Sequence, residues 1–241
     1  MTSLYQRIIA DESRNADRIR QLSDAELTLF NEALELEADA FEAMGESLLL
    51  HDLARGFTIP ALLIKSFTHL RAIYKLVLCG YFAEIEPLIR GVMESVNLAC
   101  YFHQFPEKSV DWAKGTQYSA KHVSKAIQAP ETQRKLYSWL SNRIHPNVES
   151  VMALIDLPLE PNTRRLTFYI PADASEAELR EIIGRLAMWA FSVVIATGII
   201  YKELLEGRKE WWRRYSELKR RMEELRLYRE GKSATQGEDA K

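Results

Sequence analysis

A polar file interrupts an otherwise apolar stretch, AEIEPLIRGVMESVNLACYFHQF. Glu86, Arg90, Glu94, Asn97 and Tyr101 follow one another at spacings of four, four, three and four, so they share one helix face. About fifty residues on, LYSWLSNRIHPN brings Tyr137, Ser138, Ser141, Asn142 and His145 within helical reach of one another. Together these residue types could run phosphodiester chemistry. His145 would act as general base or acid on a ribose 2′-hydroxyl, and Arg90 would stabilise the charge of the phosphorane. Glu94 would orient Arg90, and Asn97, Tyr101, Ser141 and Asn142 would hold phosphate or base. The same residues also admit a plain structural reading, in which Arg90 pairs with a carboxylate to neutralise its own burial and orient two helices. His145, at a helix end beside Pro146, would then be a capping or core group. Glu86 and Glu94 repel phosphate, which favours that second reading. Arg134 lies on the face of His145 but about 16 Å away along the axis, too far for one phosphate to touch both.

The elements that must position these residues are helices. Ser23-Asp24-Ala25-Glu26 has the pattern of a capping box, and it predicts a helix that starts after Leu22. Leu27, Leu34, Phe41 and Leu48 then recur seven apart as a heptad seam, interrupted by Glu37, weakened by Gly45 and ended by Gly56. A further helix is expected from about Thr58 to Cys79, stopped by Gly80. The polar-striped helix follows and ends before Pro106. Residues 107–128 read as a weaker amphipathic helix broken near Gly115. Pro130 opens the next helix and Pro146 closes it. Across 154–172, Pro161-Asn162 lies between short β-prone runs, which suggests a loop or a small hairpin insertion. Ser175-Glu176-Ala177-Glu178 caps a long helix whose run from Leu186 to Tyr201 carries no charge. Sixteen residues fall short of the ~20 that span a bilayer, so this segment reads as the central helix of a soluble bundle, buried all round. The last helix, about Arg208 to Glu230, bears a second seam of Trp211, Tyr215, Leu218, Met222 and Leu225. The expected fold class is all-α: a bundle of long antiparallel helices forming one domain over 1–230, with a disordered tail at 231–241.

Charge is distributed unevenly along the chain. Between Gln21 and Ala54 there are nine acidic groups and no Arg or Lys, whereas Arg208–Lys232 is basic. An acidic seam helix and a basic one are natural packing partners, within one protomer or across a dimer. The alternative is an RNA-binding surface carrying Trp211, Trp212 and Tyr215. The whole chain has a formal net charge of only -2, so no global basic balance points to nucleic acid. Two cysteines, Cys79 and Cys100, both in apolar helical patterns, read as buried thiols of a reducing compartment. No metal-ligand spacing is present, and no cofactor is expected. The segment MTSLYQRIIADESRNADR lacks the features of a signal peptide, so a cytoplasmic location and no membrane association are expected.

The combination SFTHLRAIYKLVLCGYFAEIEPLIRGVMESVNLACYF and YSWLSNRIHPN resembles an uncharacterised family of bacterial helical proteins, near the HEPN-like superfamily of helical nucleases and nucleotide-binding proteins. The resemblance covers roughly residues 58–150. It implies a helical bundle, a homodimer, RNA or a nucleotide as partner, and a role in RNA processing or in stress or phage defence. The superfamily's arginine–histidine spacing of four to six residues is not matched: Arg143 is two positions before His145 and Arg134 is eleven before it. Two further classes compete with a nuclease. One is a non-enzymatic interaction module with a structural Arg90–Glu94–His145 network. The other is a small-ligand sensor using that network as the polar end of an apolar pocket walled by Tyr101, Tyr137 and Trp139.

Overall fold

The computed structural model describes residues 3–45, 48, 52–82, 84–144, 155–156, 167–168 and 175–238. The architecture is all-α. Helix α1 (Leu4–Leu22) opens on a capping box that the sequence reading passed over: Ser3 Oγ accepts from the Gln6 amide and Gln6 Oε1 accepts from the Ser3 amide. A single residue, Ser23, separates α1 from helix α2 (Asp24–Met44). The capping box expected at Ser23 does not form. The Ser23 backbone is not extended as a cap requires, its amide donates to Ile19 O at 3.0 Å, and its hydroxyl is buried without a partner.

Two other boundaries differ from expectation. Helix α2 ends at Met44 rather than near Gly56, because Gly45 takes a φ of 40°, which a side chain would resist. Gly56 instead sits in a π-helical turn, Ala54–Thr58, that runs directly into α3 (Ile59–Cys79). Gly80, at φ 84°, stops α3 as expected, and the Tyr81 amide closes the end on Leu76 O. Helix α4 (Ile85–Gln104) folds back antiparallel along α3. Two short helices follow, α5 (Pro106–Ala113) and α6 (Ala120–Ala126), with Gly115 in the left-handed region between them. Helix α7 is Glu131–Ile144, α8 is Glu176–Ile200, α9 is Lys202–Leu205 and α10 is Lys209–Glu238. Helix α10 thus continues through most of the segment expected as a tail. Ser175 caps α8 with both halves of its capping box made.

Ile155–Asp156 and Thr167–Phe168 pair antiparallel over two rungs. Two rungs do not establish the hairpin expected across 154–172, and the connecting residues lie outside the described ones.

The core lies between α2, α3, α4 and α8, where Phe30, Leu63, Ile73, Phe102 and Val194 are wholly buried. The expectation of antiparallel long helices holds for α3 with α4 and for α2 with α10. Helices α2 and α8 instead run parallel: Arg180 reaches Glu26 near both N-termini, and Thr197 meets Glu37 further along both. Many intervening residues separate the two, so no short turn forces them antiparallel.

The acidic and basic helices pair within the chain. Arg214 pairs with Asp39 and Glu35, Arg221 pairs with Glu32, and Trp211 Nε1 donates to Leu36 O at 2.9 Å. Trp211 is buried and stacks on Tyr215 at 5.5 Å, so these aromatics serve packing and do not form a stacking surface. Helix α8 is the one helix among the described residues long and apolar enough to cross a membrane, and 61% of its most apolar window is buried. It is not buried all round. Arg185, Met188, Trp189, Ser192, Ile195 and Ile199 form a partly exposed stripe along it, and Ile199 is 62% exposed.

Candidate functional site

The antiparallel approach of α7 to α4 assembles part of the predicted site. Arg90 Nε donates to Glu94 Oε1 at 2.9 Å, and Tyr137 OH donates to the same oxygen at 2.7 Å. Arg90 Nη2 donates to the Tyr137 oxygen at 2.9 Å, closing a triangle of three polar groups. The guanidinium also lies 5.0 Å from the centre of the Tyr137 ring. One turn along, Gln133 Nε2 donates to Asn97 Oδ1 at 3.0 Å. Gln133, Tyr137 and Ser141 recur four apart on α7, so the four-residue spacing that marks the α4 stripe also marks its partner stripe. That pattern was visible in the sequence, but Gln133 carried no chemistry of its own to draw attention.

The triangle is half-open: the Arg90 side chain is 28% exposed and that of Glu94 38%. Partial burial works against the Arg90 charge, but the Glu94 and Tyr137 oxygens outweigh it and hold its pKa above the ordinary value. Burial, then the bond to Glu94, raises the Tyr137 hydroxyl, which therefore stays protonated and is no base.

The remaining predicted residues disperse. Tyr101, at 3% exposure, turns toward α5 and α6, where it packs among Phe102, Phe105 and Tyr118 and its hydroxyl meets His122 Nε2 at 3.3 Å. Ser141 is spent on its own helix, donating to Tyr137 O at 2.9 Å. Glu86 faces a different cavity from the one beside Glu94 and Asn97. His145 and the side chain of Asn142 lie outside the described residues, so the network observed is Arg90–Glu94–Tyr137. Trp139 faces away from it.

Beside Glu94 and Asn97 a cavity of about 140 Å³ reaches Tyr118, Ala120 and Val123. At ~30 Å³ each it holds a few waters, and it lies below the ~300–1,000 Å³ of pockets that enclose a small-molecule ligand.

A further contact lies on the other side of Arg90, between α3 and α4. A Cβ placed at Gly91 would lie 2.6 Å from the His69 ring, so the glycine next to Arg90 admits the imidazole of α3 against the α4 backbone. Burial, then Lys65, lowers the pKa of His69, and its Nδ1 is buried without a partner. A histidine and a glycine 22 positions apart give no local signal of this; only the α3–α4 register does.

Comparison with protein-family models, with curated proteins and with solved structures gives no match for this chain. The class that fold and site define is an all-α protein with a polar clamp joining two of its helices.

Proposed function

We propose that this protein is a non-enzymatic helical binding module in which Arg90, Glu94 and Tyr137 form a structural clamp. The observation that carries this reading is the shared Glu94 oxygen, which accepts from both Arg90 and Tyr137. A carboxylate already occupies the position a phosphate would need, and charge-assisted bonds of this kind are not readily exchanged. Gln133 and Asn97 extend the clamp, so α7 is fixed to α4 by polar contacts along two turns. The HEPN-like resemblance adds a homodimer to this reading, which sedimentation equilibrium would check.

The test is incubation of purified protein with a mixed RNA pool in EDTA, alongside Arg90→Ala and Arg90→Lys. The expected result is intact RNA, with both variants melting below wild type. Cleavage by wild type that disappears in variants of unchanged melting temperature would overturn the reading in favour of a metal-independent nuclease.

A further inference from the structure

On a different face of α7 from the clamp, a pocket of about 630 Å³ opens between α3, α4, α7 and α8. This is within the ~300–1,000 Å³ range of ligand sites. Its floor is laid by the core itself: Ile73 and Val77 of α3 and Leu140 of α7 line it and are at most 1% exposed. Nearer solvent it is walled by two tryptophans from different helices, Trp139 on α7, 49% exposed, and the half-buried Trp189 on α8. A depression that descends to wholly buried side chains has room for a molecule to enter. A docked helix or a second copy of the chain would cover its rim and leave the space beneath unfilled.

The polar groups of this pocket are already engaged. Arg185 is on the rim, with a side chain 69% exposed and paired to Glu181 on the same helix. The Ser192 hydroxyl donates to Met188 O at 2.8 Å. Glu86 also has an interaction partner. The rest of the lining among the described residues is aliphatic or aromatic. An ion that entered would give up its hydration without gaining a free counter-charge, whereas a neutral apolar body gains from leaving water. Indole walls add ring contacts in offset or edge-to-face geometry, which favour an aromatic occupant over an aliphatic one.

We propose that this pocket binds a neutral aromatic small molecule, its rings against Trp139 and Trp189 and its body over the aliphatic floor. Among the lining residues none belongs to the Arg90 clamp, so this inference and the proposed function fail separately.

N-phenyl-1-naphthylamine is neutral, and 8-anilino-1-naphthalenesulfonate is the same ring system carrying a negative charge. Tetraphenylphosphonium supplies a bulky aromatic cation. Fluorescence titration of the full chain, with calorimetry for the cation, should show saturable one-to-one binding of the neutral probe. Its affinity should exceed that of either ion by about tenfold or more. Ser192→Trp, which fills the cavity from α8, should abolish binding. Trp139→Ala, at a half-exposed position, should keep the wild-type melting temperature and weaken the neutral probe about tenfold, so the test stands even if Ser192→Trp fails to fold. No saturable binding of the neutral probe, an ion bound as tightly as it is, undiminished binding in folded Ser192→Trp, or undiminished binding in Trp139→Ala would each overturn the proposal.

Discussion

Glu37 and Glu94 occupy corresponding places in two helix pairs, and the chain treats them oppositely. Each sits on a long helix and accepts a hydroxyl hydrogen bond at 2.7 Å from the helix packed against it, Thr197 for Glu37 and Tyr137 for Glu94. Glu94 also has Arg90 one turn before it, and both remain partly in water. Glu37 is 1% exposed, and among the described residues no cation pairs with it and its Oε2 has no hydrogen-bond partner. Burial pushes its carboxyl up to about 7, against the smaller opposing effect of the Thr197 bond. One carboxylate has a cation within reach on its own helix. The other is shifted toward its neutral form by burial. A polar group at a helix interface can thus be accommodated by pairing or by protonation, and the two solutions respond differently to mutation and to pH.

The comparison breaks most severely at Trp211, which closes the Glu37 region from α10. Its indole is buried, bonded to Leu36 O, and packed against Gly198, where an added Cβ would lie 3.1 Å from the ring. Trp211→Ala should cost ~3–5 kcal/mol by denaturant titration, and water entering the cavity should bring the Glu37 pKa back toward its ordinary value. A second experiment isolates the carboxyl itself. Below the ordinary value of 4.5 Glu37 is protonated whether folded or not, so it exacts no penalty. As pH rises toward about 7 the unfolded chain loses a proton that the folded chain retains, so stability falls, then levels off above that value. Across that window the loss is ~3 kcal/mol. Glu37→Gln should therefore melt well above wild type at pH 8 and close to it at pH 4.5. A wild-type stability curve no steeper than that of the variant would contradict this account.

The clamp should respond more modestly. Tyr137→Phe keeps the ring and removes the hydroxyl bonds to Glu94 and Arg90, at an expected cost of ~1–2 kcal/mol. In a double-mutant cycle with Glu94→Gln the coupling should be ~1 kcal/mol, and a coupling of zero would mean the triangle holds nothing together. At the small end, Arg220→Ala removes exposed pairs to Glu217 and Glu224 on one helix face and should leave the melting temperature unchanged.

How much of this was legible depends on the distance over which each signal acts. Gly80 as a stop and Ser175 as a cap were readable because the side chain or backbone that decides them lies within four residues. Ser23 had the same local pattern as Ser175 and failed, since α1 runs on into it and takes the backbone out of the capping conformation. The Arg90–Glu94 pair was legible as one helical turn. Its third member, Tyr137, was singled out on its own helix, but its place in the triangle required the α4–α7 register. Tyr101 shares the stripe's spacing, yet the short helices α5 and α6 draw it into an aromatic cluster instead.

The sequence by itself determined that this chain is helical, where most of its helices lie, and that acidic and basic seams were made to meet. Periodicity and capping are properties of neighbouring residues, so they survive without knowledge of the fold. Only the tertiary structure decided that α2 and α8 run parallel, that the charged helices pair within one chain, and that Glu37 is buried against Thr197. It also decided that the pocket faces Glu86 and not Arg90. Each of these depends on which elements come together across more than forty residues of chain, and nothing in local spacing carries that information.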